Sequence, residues 1–131
     1  MFDRDTVADL IAQVRTYDLE RPVSFDLASL EQIQEAYNGI GPDWLPENLR
    51  EWLTARYGYF AAGALVHDWE YQTATDKSRE AFIRCNERLR RNCRKLLRKG
   101  YPWYKAFLYR ERPNILADAC NRFGWEAWKE A

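Results

Sequence analysis

The chain has 131 residues, of which 47% are apolar and 15% are aromatic, and its net charge is zero. This length suits one domain around one hydrophobic core, so residues 1–131 are predicted to form a single domain, and the composition excludes a disordered chain. Because no apolar run approaches the roughly 20 residues that span a bilayer and the N-terminal residues do not resemble a signal peptide, we predict a cytoplasmic protein without a transmembrane segment.

The first half of the chain is predicted to be helical, apart from one extended segment and one loop. Apolar side chains recur at helical spacing near the N-terminus and predict a helix over 4–16. Apolar and polar residues alternate after Pro22, which predicts a short extended segment near 22–26. Ser29 and Gln32 have the spacing of a capping box and predict a helix to about Tyr37. A loop rich in glycine and proline follows over 37–46, and then a helix to about Arg56.

The second half is predicted to be helical almost throughout. The helix over about 59–73 has small residues in its first half, so another segment can approach it closely. Thr75 or Asp76 is predicted to cap a long helix to about Lys99. Its buried stripe consists of Phe82, Cys85, Leu89, Cys93 and Leu96. Helices that start at Pro102 and near residue 114 complete the chain. The predicted fold class is therefore mainly α, a compact single-domain bundle of about six to seven helices.

The charge is unevenly distributed along the chain. Residues 1–71 carry 13 acidic and 5 basic side chains, whereas residues 72–131 carry 15 basic and 7 acidic side chains. Within residues 84–99, eight side chains are Arg or Lys and one is Glu. Two interpretations stay open: this basic helix binds a phosphate-rich or protein partner, or the two halves of the chain pack against each other.

Cysteines and tryptophans are predicted to be mostly core residues. Three cysteines without a CxxC pair indicate buried, reduced thiols, and one histidine with three scattered thiols does not have the usual spacing of a zinc site. The tryptophans are expected in the core, although Trp125 and Trp128, three positions apart, could instead dock on another subunit.

The segment GALVHDWEY, residues 63–71, contains the only histidine of the chain. On a helix, His67 shares a face with Gly63 and Tyr71, which leaves room in front of the imidazole for a substrate or a water molecule. The side chains of His67 and Asp68 diverge, so they do not form a hydrogen-bonded relay. They suit two adjacent functions, a general base at His67 and a cation ligand at Asp68. The alternative is a buried histidine that one hydrogen bond satisfies.

The residues His67, Asp68 and Tyr71 match the His-Asp-x-x-Tyr pattern of phospholipases A2, and the helix that carries them resembles the active-site helix of those enzymes. The resemblance implies that His67 activates a water molecule, that Asp68 binds Ca²⁺ and that Tyr71 supports the hydrogen-bond network. It implies a phospholipid or another ester as the substrate.

The same resemblance implies two further groups. One is a calcium-binding loop that supplies backbone carbonyls, for which Gly39 and Gly41 are the candidates, although they lie farther upstream of the histidine than is usual in that family. The other is a carboxylate on the next helix that orients the histidine. No Asp stands in the middle of that helix here, and Asn86 on its inner face is the nearest substitute.

A second resemblance extends over about residues 22–109. The segments FDLAS (25–29), LVHDWEY (65–71), DKSREAFIRCNERL (76–89) and YPWYKAF (101–107) are similar, in order and spacing, to a largely phage- and prophage-borne bacterial family, domain of unknown function 1353. The resemblance implies Asp26 as a possible partner of His67, and a location in the bacterial host cell or on the virion.

Two hypotheses of function follow from these motifs. In the first, the chain is a phage-type hydrolase that resembles phospholipase A2, with His67 as the base and a divalent cation at Asp68. In the second, it is a non-enzymatic phage accessory protein, virion component or host-directed binding protein. His67, Asp26 and Tyr71 then form a buried hydrogen-bond network that joins three segments.

Overall fold

A computed structural model of the chain describes residues 2–39, 46, 48, 53 and 55–131, and it is mainly α-helical, which confirms the predicted fold class. In chain order, the helices of the described residues are α1 (Arg4–Thr16), α2 (Val23–Leu27), α3 (Leu30–Ala36), α4 (Ala61–Thr73), α5 (Arg79–Gly100), α6 (Trp103–Leu108), α7 (Arg112–Phe123) and α8 (Trp125–Glu130). A 3-10 turn, Gly58–Phe60, leads into α4. The helix predicted over about 46–56 lies mostly outside the described residues.

Side-chain caps determine where two of these helices begin. The capping box predicted at Ser29 and Gln32 is present at the start of α3. The predicted cap of α5 is wrong, because neither Thr75 nor Asp76 caps it. Ser78 accepts the hydrogen bond from the backbone N–H three residues later, and Asp76 accepts the N–H of Ser78 at 2.9 Å. The carboxylate of Asp76 therefore forms a turn just before the helix.

The extended segment predicted near 22–26 is wrong, because residues 23–27 form the single-turn helix α2. Its alternation of apolar and polar residues does not separate an inner face from an outer one, since Val23 and Leu27 are 74% and 81% exposed. Phe25 alone is buried, and its ring meets the ring of Trp69 edge to face, with 6.4 Å between the centroids. A single turn of helix is enough to direct Phe25 into the core.

Helix α4 lies at the centre of the fold, where it packs against α1, α3 and α5. The predicted close approach is confirmed at Gly63, where an added Cβ would lie 3.4 Å from the sulfur of Cys93 on α5. The predicted apolar stripes of the two neighbouring helices are also buried. They are Val7, Leu10, Ile11 and Val14 on α1, and Phe82, Cys85, Leu89, Cys93 and Leu96 on α5.

Part of the uneven charge is neutralised where α5 meets the first half of the chain. Arg91 holds the carboxylate of Glu20 with two hydrogen bonds, of 2.6 and 3.0 Å. Lys95 donates to the backbone carbonyl of Asp18 at 2.7 Å. These contacts support the interpretation that the acidic and basic halves pack against each other. Interaction of residues 84–99 with an outside partner stays a prediction.

The aromatic residues of the C-terminal third divide between core and surface. Trp128 on α8 is 2% exposed and packs against Tyr71 and Phe82, so its ring is used inside this chain. Trp103 on α6 is 82% exposed, so the prediction that it lies in the core is wrong. Helix α6 has no buried residue, because it is a short connection between α5 and α7. In the part of the chain that the structure describes, no helix is both long enough and apolar enough to cross a membrane.

Candidate functional site

Helix α4 directs His67 inward, and the side chain is buried, with 8% of the residue exposed. The ring of Tyr71, one helical turn later, lies against the imidazole with 4.4 Å between the centroids. This follows from the four-residue spacing, which places the two side chains above each other on the helix. The pair faces α5, so the next group that each side chain meets is on that helix.

Asn86 on α5 is the hydrogen-bond partner of both side chains. Its Oδ1 lies 2.8 Å from Nε2 of His67 and accepts from the hydroxyl of Tyr71 at 3.2 Å. Its Nδ2 donates to Oδ1 of Asn121 on α7 at 2.8 Å. Because the oxygen of Asn86 faces His67 and an amide oxygen can only accept, Nε2 carries the proton of the imidazole. Nδ1 therefore holds the lone pair.

Burial keeps both titratable groups of this network uncharged at neutral pH. Burial lowers the pKa of His67 from 6.5 to about 4, and the hydrogen bond to Asn86 opposes that change only in part. A neutral amide supplies no negative charge to stabilise an imidazolium. Burial also raises the pKa of Tyr71 well above its ordinary value, so the hydroxyl stays protonated and donates. His67 at pH 7 is in the form that a general base requires, but its basicity is low.

Asp68 lies beside the start of the glycine-rich loop. Its Oδ2 accepts the backbone N–H of Asn38 at 2.8 Å, and its charge contributes to raising the pKa of Tyr37 to about 12, behind the larger effect of burial. Gly39 follows with a φ of 83°, and an added Cβ would meet the ring of Phe2 at 2.7 Å, so this position requires glycine. Gly41 lies outside the described residues.

The carboxylate of Asp68 is a ligand type that suits a hard cation such as Ca²⁺, and it would hold the ion. Among the described residues, no group of three or more His, Cys, Asp or Glu side chains could hold a metal ion. The loop residues 40–45, from which the resemblance would take further ligands, lie outside the described residues.

Asp26 is not a partner of His67. Its carboxylate accepts two hydrogen bonds from Arg21, at 2.9 and 3.1 Å, on the surface of α2. The third segment of the network is α7, through Asn121, which the sequence reasoning missed. A signal for it was present: Asn121 continues the four-residue row of the buried Pro113 and Ala117 on α7.

The three cysteines are unpaired in the structure. Burial raises the pKa of all three thiols, to about 12 at Cys120. Since the thiolate is the reactive form, these thiols are poor nucleophiles at neutral pH.

No family model matches the chain, and no match was found among curated proteins or solved structures. The resemblances to phospholipases A2 and to the phage-borne family rest on the motifs alone.

Proposed function

We propose that this chain is a small phage- or prophage-type hydrolase with the plan of phospholipase A2, in which His67 activates water at an ester of a lipid. The observation that carries the proposal is the 2.8 Å contact between Nε2 of His67 and Oδ1 of Asn86, whose amide nitrogen donates to Asn121. Because that oxygen can only accept, we infer that the proton lies on Nε2 and the lone pair on Nδ1. A general base needs an orienting partner on one nitrogen and a free lone pair on the other.

The residues of the chain would then act in a fixed order. Nδ1 of His67 accepts a proton from water while the water oxygen attacks the ester carbonyl, and the same proton passes to the departing alcohol. Asn86 and Tyr71 hold the ring in place during both transfers. Ca²⁺ at Asp68 would polarise the ester carbonyl. Because Asn86 carries no charge, the imidazolium formed during the reaction is stabilised less than it would be beside a carboxylate, so we expect slow turnover.

The second candidate is a non-enzymatic phage accessory, virion or host-directed binding protein in which the same network is structural. The burial of His67 favours it, because the hydrogen bonds join α4, α5 and α7 through buried polar groups. Truncation of His67 to alanine would then leave the oxygen of Asn86 with one donor fewer, at a cost of about 1–3 kcal/mol in stability. The substitution would abolish no enzymatic activity, because the wild-type protein would have none.

Release of fatty acid from phosphatidylglycerol vesicles, with Ca²⁺ or with a chelator, tests the two candidates. The variants are His67→Gln, whose side-chain amide can still donate to Asn86, and Asn92→Ala as a control at another buried asparagine of α5. For the hydrolase, Ca²⁺-dependent release by the wild type should fall about 10²–10⁴-fold in His67→Gln, because general-base catalysis is worth that much. The control should keep its rate wherever it is folded.

The hydrolase proposal fails if the folded wild type releases no fatty acid with Ca²⁺, or if His67→Gln matches it. Unfolding of both proteins in urea separates loss of chemistry from loss of structure. If His67→Gln keeps its stability and His67→Ala does not, with no turnover in any of the proteins, the structural candidate is supported.

A further inference from the structure

A cleft of about 330 Å³ opens between the end of α4, the first turns of α5 and the C-terminal helix α8. Glu70 and Arg88 form one side of it, and Trp128 forms another. The rest of the lining combines small apolar side chains, such as Pro22 and Ala74, with polar ones, such as Ser24 and Thr73. The volume is in the range of small-molecule sites, which usually combine an apolar lining with a few convergent polar groups. His67 and Asp68 do not line it.

Three polar atoms at this cleft are buried without a hydrogen-bond partner in the protein. They are Oε1 of Glu70, Nε of Arg88 and Nε1 of Trp128, and among the described residues only one other buried side-chain atom shares this condition. Glu70 and Arg88 are close, but their contact, 3.4 Å between Oε1 and Nη1, is longer than a good hydrogen bond. Glu70 still has Arg88 and Cys85 beside it, whereas Nε of Arg88 and Nε1 of Trp128 have no acceptor. Buried polar atoms are almost always paired, so these two donors point to a ligand that supplies their acceptors.

The chemistry of the three atoms restricts the ligand. Nε of Arg88 and Nε1 of Trp128 are obligatory donors, so the ligand must present acceptors to both. Glu70 is 15% exposed, and burial raises its pKa to about 7 while Arg88 opposes the shift. Near neutral pH this carboxyl is therefore available as a third donor. The other charged or titratable groups that face Glu70 or line the cleft are Glu20, Asp76, Arg84, Cys85 and Arg91.

We propose that this cleft binds a small organic carboxylate, which accepts hydrogen bonds from Arg88 and Trp128 and lies beside the carboxyl of Glu70. The body of the ligand lies against the apolar lining. Above pH 7 binding takes up one proton, which the carboxyl of Glu70 shares with the carboxylate of the ligand. The site does not depend on the hydrolase proposal, because it uses none of the residues that surround His67.

Calorimetric titration of the folded wild type with benzoate at pH 6 and pH 8 tests the proposal. Because only the protonated form of Glu70 binds, affinity should fall about tenfold between these pH values, as expected for a group that titrates near 7. Titration at pH 8 in two buffers of different ionisation enthalpy should show the uptake of about one proton, and at pH 6, where Glu70 is already mostly protonated, almost none. Benzamide, which has the same shape without the charge, should bind more weakly at pH 6, and inorganic phosphate distinguishes a carboxylate site from a general anion site.

Three variants distinguish binding of benzoate in the cleft from a general effect of charge on the protein. Glu70→Gln keeps a donor and should bind benzoate with the same affinity at pH 6 and pH 8. Trp128→Phe removes only the indole N–H and should weaken binding about tenfold or more. Arg98→Gln removes a positive charge at the far end of α5 and should change nothing.

The proposal is wrong if benzoate gives no saturable binding at pH 6, if its affinity is equal at both pH values, or if phosphate or benzamide binds as well as benzoate. Unchanged binding in Trp128→Phe would also overturn it. Circular dichroism of each variant checks that it is folded before it is titrated. If Trp128→Phe is unstable, Glu70→Gln still tests the site.

Discussion

Replacement of Asn86 by aspartate should change His67 from a weak base into one that titrates near neutrality. In the native network the partner of the imidazole is a neutral amide, and the pKa of His67 is about 4. Nε2 of His67 lies 2.8 Å from the oxygen of Asn86, so a carboxylate there would place opposite charges about 4 Å apart. At an effective dielectric constant of about 20 this attraction is about 4 kcal/mol, or roughly three pKa units. The pKa of His67 should therefore rise to about 7.

Because His67 is the only histidine, a single pair of imidazole resonances reports the titration by NMR. The wild type should show no titration of these resonances between pH 5 and 8, and Asn86→Asp should show one. Asn92→Asp is the matched control. The native Asn92 amide hydrogen-bonds to the backbone of Glu20 and does not contact His67, so the pKa of His67 should stay low in this variant. A wild-type pKa near 6.5, or a rise of less than one unit in Asn86→Asp, would refute the electrostatic reasoning. If the chain is a hydrolase, the same substitution should increase fatty-acid release.

Three more predictions test other parts of the structure. The pKa of His67 is lower in the folded chain than in the unfolded chain, so the free energy of unfolding should fall by about 3 kcal/mol as the pH falls from 6.5 to 4. Unfolding of His67→Gln in urea should lack this pH-dependent contribution. Equal pH profiles of stability for the two proteins would contradict the reasoning. Gly63→Ala should be neutral or stabilise the protein by up to about 1 kcal/mol, since the added Cβ would lie 3.4 Å from Cys93. Gly63→Val, which is larger, should cost about 1–3 kcal/mol in thermal unfolding. A more stable Gly63→Val than Gly63→Ala would disprove the close packing. Trp128→Ala should lower the free energy of unfolding by about 3–5 kcal/mol, because Trp128 is 2% exposed. Trp103→Ala should lower it by less than about 0.5 kcal/mol, because Trp103 is 82% exposed. Similar losses of stability for the two variants in chemical denaturation would be inconsistent with these positions.

Local patterns in the sequence were sufficient for most of the helical fold. The buried stripes of α1 and α5 and the capping box at Ser29 depend on residues within a few positions of each other, and such signals are visible in one sequence. The segment at 22–26 was misjudged because alternation alone does not show that a neighbouring strand exists. Whether Phe25 enters the core from a strand or from a single helical turn depends on Trp69, more than forty residues away.

The candidate site was predictable where it depends on one helix and its neighbour. Asn86 was identified because it shares the inner face of α5 with Leu89, and it does contact His67. The prediction that Asp26 is a partner of His67 was wrong, since Arg21 holds the carboxylate of Asp26 at the surface. The bond from Asn86 to Asn121 joins residues 35 positions apart, and only the packing of α5 against α7 brings them together.

The division of charge along the chain has a consequence for its synthesis. Residues 1–71 leave the ribosome first and carry an excess of eight negative charges, because they contain 13 acidic and 5 basic side chains. A nascent segment of this kind repels RNA and other copies of itself while its apolar face on α4 is still uncovered. Helix α5 is made later and carries the opposite charge, so attraction such as that between Arg91 and Glu20 favours its packing against the earlier segment.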